Sequence, residues 1–303
     1  MFPKTRCLLV ASALIACALS TSAQSNRFGK INDEQWEIVE CTFDSTAEAL
    51  ILFDVGKFEY EFHPCIPQNA SRTELKPFSI VFCRHVRIKL LKDHEAPEAY
   101  VRIPLYLFPE GTRSLNTFHA RLFTEKGNAS KKVKYKREDL TESEVENGLV
   151  YLLKLENLPG GSILDIEFVM NSDYMFHIPD WSFSSKYPTL HSKISYSIPD
   201  FMDVTKQIEN LDKLKVTTST HPSQPPKTRN LNAGDYYLTP NPNPGFYHPF
   251  HFAYESYELN RINAYTDSSK FEIIKFHVGA ANLSSISRSP ETRWWYPIRG
   301  HFF

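Results

Sequence analysis

The sequence predicts a mostly β fold, an antiparallel β-sandwich-like domain with few short helices, and three observations carry that expectation. Aromatic residues make up 14% of the chain, with 22 Phe and 15 Tyr, and such side chains pack well on pleated, half-buried surfaces. Proline outnumbers glycine by 20 to 11, which favours rigid connections between extended segments over helix bundles. Apolar runs of strand length recur at short intervals, each closed by Gly, Pro, Asn or Ser, whereas βαβ units would need helical stretches between them.

The chain begins with an export signal. Met1 to Arg6 carries two positive charges, Cys7 to Ser20 is almost wholly apolar, and Thr21-Ser22-Ala23 places small residues before Gln24. The apolar run of about fourteen residues is shorter than the roughly 20 needed to cross a bilayer as a helix. The expectation is a signal peptide over 1–23 and no transmembrane helix. Leu14-Ile15-Ala16-Cys17 also fits a lipobox, so Cys17 is a candidate lipidation site, and cleavage after Ala23 is the alternative.

The elements follow in order. Trp36 to Phe43 and Ala49 to Asp54 read as two strands, the second buried on both faces, with Val55-Gly56 as a turn into a third. Lys57 to His63 alternates Phe58, Tyr60 and Phe62 with Glu59, Glu61 and His63, the period of a half-exposed strand. Phe78 to Leu91 has the clearest alternation, with Val86, Ile88 and Leu90 on one face and Arg87 and Lys89 on the other. Strands are then expected over Tyr100–Leu107, Leu115–Thr124, Lys132–Lys136, Leu149–Leu155, Ser162–Met170, Trp181–Tyr187 and Lys193–Ile198. Only Thr141 to Asn147 looks helical, with Thr141 and Glu144 placed for a capping box. Thr217 to Pro226 and Thr239 to Gly245 read as proline-rich connections, and Phe250–Tyr257 and Phe271–Val278 return to strand. The organisation expected is a β-sandwich domain over 24–203, a linker or long loop over 204–245, and a C-terminal β extension over 246–303 packed on the main domain.

Charge and cysteine content narrow the function. Lys plus Arg number 34 against 35 Asp plus Glu, a net charge of -1, so nothing favours nucleic acid as a partner. Of five cysteines, Cys7 and Cys17 fall in the signal, which leaves Cys41, Cys65 and Cys83. Cys41 and Cys83 sit in apolar runs where a thiol behaves as a small hydrophobe, and the disulfide state of the three is open. No CxxC pair supports a zinc ribbon or redox site, and no cofactor is expected.

Four landmarks in order carry a family likeness. The run Cys41 to Gly56 followed by the basic strand Arg84 to Leu91, then Leu158-Pro159-Gly160-Gly161-Ser162 leading into Ile163 to Phe168, then Asp180-Trp181-Ser182-Phe183, then Ser197-Ile198-Pro199-Asp200-Phe201, resemble a bacterial domain of unknown function. That domain usually stands N-terminal to a transglutaminase-like domain in exported proteins of Bacteroidetes. The resemblance spans Gln35 to Phe201 and implies no catalytic residues in this stretch. The Cys-His-Asp triad of the neighbouring domain has no counterpart, because no cysteine follows Cys83.

Candidate sites remain. His248 and His251 are a weak metal pair, disfavoured by Pro249 between them. Cys83 and His85 share a strand face but at a spacing loose for a nucleophile and its base, as do His63 and Cys65. Trp294, Trp295, Tyr296 and Tyr247 are candidate binding aromatics, and Tyr236-Tyr237 adds to them as a sugar-stacking platform. The sequence thus favours an exported, non-catalytic binding or accessory module of the cell envelope, periplasmic or extracellular, whose partner is a protein, a peptide or an envelope glycan. A carbohydrate-binding module and a divergent hydrolase or metal-dependent enzyme are the alternatives.

Overall fold

The computed structural model describes residues 27–62, 65–66, 78–93, 100–106, 113–126, 132–145, 148–155, 158–172, 174, 177–200, 202–209, 213–222, 236–237, 251–265 and 272–278. One short helix, α1 (Asp33–Glu37), precedes β1 (Ala49–Phe62), β2 (Cys65–Ile66), β3 (Phe78–Leu90), β4 (Tyr100–Tyr106), β5 (Arg113–Phe123) and β6 (Lys132–Lys136). Then come β7 (Leu140–Val145), β8 (Gly148–Lys154), β9 (Ile163–Ser172), β10 (Trp181–Ser182) and β11 (Thr189–Pro199). The last described strands are β12 (Val204–Glu209), β13 (Lys215–Pro222), β14 (Tyr236–Tyr237), β15 (His251–Ile262) and β16 (Ile273–Val278). The mostly β expectation holds. None of the described helices is long and apolar enough to cross a membrane.

Eight strands form one long sheet in the order β13-β15-β11-β1-β3-β9-β5-β6, antiparallel throughout except for the parallel pair β1 and β11. Two three-stranded sheets, β4-β8-β7 and β10-β16-β12, make up a second layer, and β2 pairs with β14. Register shows that both small sheets cover the same face of the long one. Ile88 stands opposite Leu164, Val86 opposite Ile166 and Phe82 opposite both Phe58 and Met170, so these side chains share a face. On the β3, β9 and β5 half of that face, Leu164, Ile166, Phe168 and Phe118 pack with Ile103 of β4 and Tyr151 and Leu153 of β8. On the β1, β11 and β15 half, Phe58, Ile194, Tyr196 and Tyr257 pack with Trp181 of β10 and Ile274 and Phe276 of β16. Each fully buried apolar side chain contributes roughly 1.5–3 kcal/mol, so the two cores stabilise the two halves of one sheet.

The opposite face is covered by residues 27–48, a strap with α1 inside it. Cys41 packs there on Leu50, Leu52 and Phe53, with Ile38 and Phe43 against them. Asn32 caps α1 by accepting from the Gln35 N–H at 3.1 Å, and Asp44 accepts from the Thr46 N–H and hydroxyl, folding 41–47 into turns.

Several local expectations are corrected. The strand expected over Trp36–Phe43 is instead the end of α1 and an irregular strap: among the described residues no strand pairs with it, and Lys89 Nζ and the Asp44 N–H donate to its Trp36 and Cys41 carbonyls. Val55-Gly56 is not a turn, because β1 runs unbroken from Ala49 to Phe62. Of the helix expected over Thr141–Asn147, the described part to Val145 is β7, paired with β8 from Leu140↔Leu153 to Val145↔Gly148; sheet pairing overrides a local capping pattern. A 3₁₀ turn at Arg137–Asp139 lies just before it. Within the stretch expected to be linker, β12 and β13 form and join the small and long sheets, so Thr217–Pro222 is strand. β15 pairs with β11 along ten residues, from Thr189↔Ile262 to Pro199↔Phe252, so the C-terminal segment enters the long sheet itself. Arg87 and Lys89 do not face solvent. They are 1% and 2% exposed, under the strap.

Candidate functional site

On the covered face of the long sheet lies a cleft of about 510 Å³. Its floor is β3 and β9, with Phe82, Val86, Ile88, Ile166, Phe168 and Met170, and one wall is the segment from His177 to Tyr187. Apart from the two residues of β10 that wall is irregular chain, and its serines satisfy backbone groups that a ladder would otherwise take. Ser182 donates to the Ser184 carbonyl at 2.8 Å, Ser185 donates to the Tyr187 carbonyl at 2.9 Å, and the Phe183 N–H donates to the Glu272 carbonyl at 2.8 Å. The Ser184 hydroxyl donates to the Glu272 carboxylate, and burial raises that carboxyl's pKa.

Arg84 rises from this floor. Gly56 is its register partner and Asp54 its diagonal neighbour on β1, on the same face. The guanidinium grips Asp54 with both ends of its fork, Nε to Oδ1 at 2.8 Å and Nη2 to Oδ2 at 2.5 Å. Burial opposes the guanidinium charge, yet the Asp54 carboxylate holds the Arg84 pKa above its ordinary value. The side chain is 36% exposed, its Cζ lies 4.9 Å from the Trp181 ring centroid, and Nη1 has no hydrogen-bond partner among the described residues. Trp181 in turn lies against Gly56, and its indole N–H donates to Ser192 at 3.2 Å. The cleft thus offers an apolar floor with the fixed Arg84 cation, whose outer Nη1 has no partner among the described residues, and with Asp180 and Lys186 in its wall.

The strapped face carries a second polar cluster with a different character. Asp165, 0% exposed, accepts from Arg87 at 3.0 Å on both oxygens, from the Gly29 N–H at 2.6 Å, and meets His85 Nε2 at 2.8 Å. Burial would raise its pKa, but His85, Arg87 and the Gly29 N–H together hold it below the ordinary carboxylate value. Arg87 also donates to Gln35 Oε1 and the Arg27 carbonyl, and Lys89 to the Trp36 and Gly161 carbonyls, with burial lowering the Lys89 pKa. The bonds to Arg27, Gly29, Gln35 and Trp36 tie the strap to β3 or β9, the Lys89 bond to Gly161 holds the turn beside it, and the His85 and Arg87 bonds to Asp165 join β3 to β9 beneath the strap. This cluster is a fastening.

The Cys83 and His85 pair does share a face, but the imidazole is taken by Asp165 and by the Phe53 ring at 4.8 Å. Burial and the charge of Glu59 raise the Cys83 thiol pKa, which disfavours the thiolate a nucleophile needs. Cys41 and Cys83 are free thiols. Tyr236 and Tyr237 lie in β14, paired with Ile66 and Cys65. His248, Tyr247, Trp294, Trp295, Tyr296 and Cys17, and the side chain of His251, lie outside the described residues. Among the described residues, no three His, Cys, Asp or Glu side chains group as metal ligands do.

Asp54, Arg84 and Asp165 escaped the sequence reading. The available signal was a carboxylate inside an apolar strand: Asp54 ends Ala-Leu-Ile-Leu-Phe, and Asp165 interrupts Ile-Leu-Asp-Ile. Such a group is buried only with a partner. Two acids and three basic residues on β3 were the pairs to expect.

No protein-family model matches the sequence, and no curated protein matches it. Among solved structures the chain is distantly similar to one from Parabacteroides distasonis described as a "putative protease", at 10% identity and a TM-score of 0.45, over 77% of this chain. The chain spans 41% of the length of that protein.

Proposed function

We propose that this chain is an exported, non-catalytic binding module of the bacterial cell envelope, and that the Arg84 cleft is where it binds. The observation that supports this reading is the pairing of an apolar floor with a guanidinium anchored by Asp54 and Trp181, a few polar groups set in an apolar concavity. A ligand suited to it has an apolar body for Ile88, Ile166 and Phe168 and an acceptor group for Arg84 Nη1. A peptide segment with an apolar side chain next to a carboxylate has both. The order of landmarks that resembles the transglutaminase-associated domain agrees with an accessory role.

The test is a peptide array probed with the mature chain and with the double variant Asp54→Asn/Arg84→Gln, which removes both charges and keeps the volumes close. Binding to apolar, carboxylate-bearing peptides that disappears in the folded double variant is the expected result. Binding indifferent to the double variant, or confined to glycans and lost in Trp294→Ala/Trp295→Ala, overturns it. Stoichiometric zinc lost in His248→Ala/His251→Ala would turn the reading toward an enzyme. We assign the chain to the periplasm or cell exterior on its signal sequence, and the mass of the mature N-terminus decides between cleavage after Ala23 and a lipid on Cys17.

A further inference from the structure

A sheet edge is a row of unpaired N–H and C=O groups, and proteins that stay apart blunt such edges with charge, proline or brevity. All but one of the described outer edges of the three larger sheets are blunted in this way. β6 carries Lys132, Lys134 and Lys136 on alternate positions, β7 carries Glu142 and Glu144, and β4 has Arg102 and Pro104 in its middle. β12 has Lys206 and Glu209, and β10 is two residues long. The exception is the middle of β13, the edge of the long sheet beyond β15, whose charge and proline, Lys215 and Pro222, stand only at its two ends. From Val216 to Thr220 it reads Val-Thr-Thr-Ser-Thr, without charge or proline, all of it exposed, and among the described residues no strand pairs with its outer side. These are residues that suit a ladder.

We propose that a second copy of this chain pairs with β13 along this edge, antiparallel, about a two-fold axis at Thr218. The sequence is close to its own complement in that register. Thr218 meets the partner's Thr218, Thr217 meets the partner's Ser219, and Val216 meets the partner's Thr220, so hydroxyl and β-branched side chains face one another. The two Lys215 residues fall at opposite ends, which avoids a like-charge pair. Same-parity pairing keeps Val216, Thr218 and Thr220, which share the face of Tyr257, on one side in both copies, so the second layers of the two copies lie on the same side of one continuous sheet. The contact is isologous and closes on itself, and a net charge of -1 per chain opposes it little. This inference does not rest on the cleft reading.

Sedimentation velocity on the mature chain over a concentration series tests it. The expected result is a monomer–dimer equilibrium that Thr218→Lys weakens by at least about tenfold, by setting two cations against each other at the axis. Lysine on an exposed edge position beside Glu255 leaves the thermal midpoint unchanged. Thr218→Cys is expected to form a disulfide-linked dimer on mild oxidation, since directly opposed strand residues lie at disulfide distance. A chain that is monomeric up to about 1 mM overturns the proposal. So does a dimer that ignores Thr218→Lys and leaves Thr218→Cys uncrosslinked, or an edge taken only by a strand of a different protein.

Discussion

A Cβ built on Gly56 would stand 2.5 Å from both Ile194 Cδ1 and Trp181 Cζ3, so the absence of a side chain is what lets the indole lie on β1 beside Arg84. Gly56→Ala is therefore expected to destabilise by about 1–3 kcal/mol through overpacking, and to change tryptophan fluorescence, both read in a urea titration. At Tyr196 the opposite change helps. Its hydroxyl is buried without a hydrogen-bond partner among the described residues, and burial pushes its pKa well above the ordinary value. An unpaired buried hydroxyl costs about 1–3 kcal/mol, and Tyr196→Phe is expected to recover about 1 kcal/mol of that, seen as a higher unfolding midpoint. Alternation along β3 was legible in the sequence, but not which face meets water. Arg87 and Lys89 look like solvated charges until the strap covers them, and the strap is fixed by contacts from Arg27, Gln35 and Trp36 that no local pattern announces.

At the level of elements, the strap depends on Asp165. Removing a buried charge from a paired site leaves its partner uncompensated, so Asp165→Ala is expected to cost about 3–5 kcal/mol and to make the bond after Arg27 readily cleaved by trypsin. The linkage with pH follows from a folded-state pKa below the ordinary 3.8. The stabilisation is complete above that ordinary value and is lost as pH falls through the lower, folded one. In urea titrations from pH 6 downward, the wild type should lose stability below about pH 4 more steeply than Asp165→Asn, whose side chain does not titrate there. Strand positions from Tyr100 to Met170 were largely legible, because alternation and turn residues act locally, but the strand expected over Trp181–Tyr187 is only the two residues of β10, and β12 lies in the stretch expected to be linker. β7 and β13 were misread for a physical reason: Thr-Glu-Ser-Glu and Thr-Thr-Ser-Thr have weak local preferences, and long-range pairing with β8 and β15 decides their conformation.

For the whole molecule, two apolar cores on one sheet carry stability without a disulfide between the described cysteines, since Cys41 and Cys83 are both free. A reductant is thus expected to leave the unfolding midpoint unchanged. In the native state an alkylating reagent should label Cys83, which is partly accessible, well before Cys41. Mass spectrometry over a time course reads this directly. The class of fold followed from composition and strand spacing, whereas the division of the second layer into two small sheets, and the cleft on the face they share, did not. Those depend on which strands pair across the chain, and apolar alternation is the same for every partner.

The parallel pairing of β1 with β11 sets an order of events. The 126 residues between Phe62 at the close of β1 and Thr189 at the start of β11 separate the two strands of this pair, so chain entropy must be spent before the ladder can form. A chain emerging N-terminus first can join β1 to β3, β9 and β5 early. It must then wait with the other side of β1 bare until residues 189–199 arrive. Pulse-labelled hydrogen exchange during refolding should therefore protect amides of β3 and β9 before those of β11 and β15, and a chain stalled between the two stages presents the central strand of its own sheet as an open, adhesive edge.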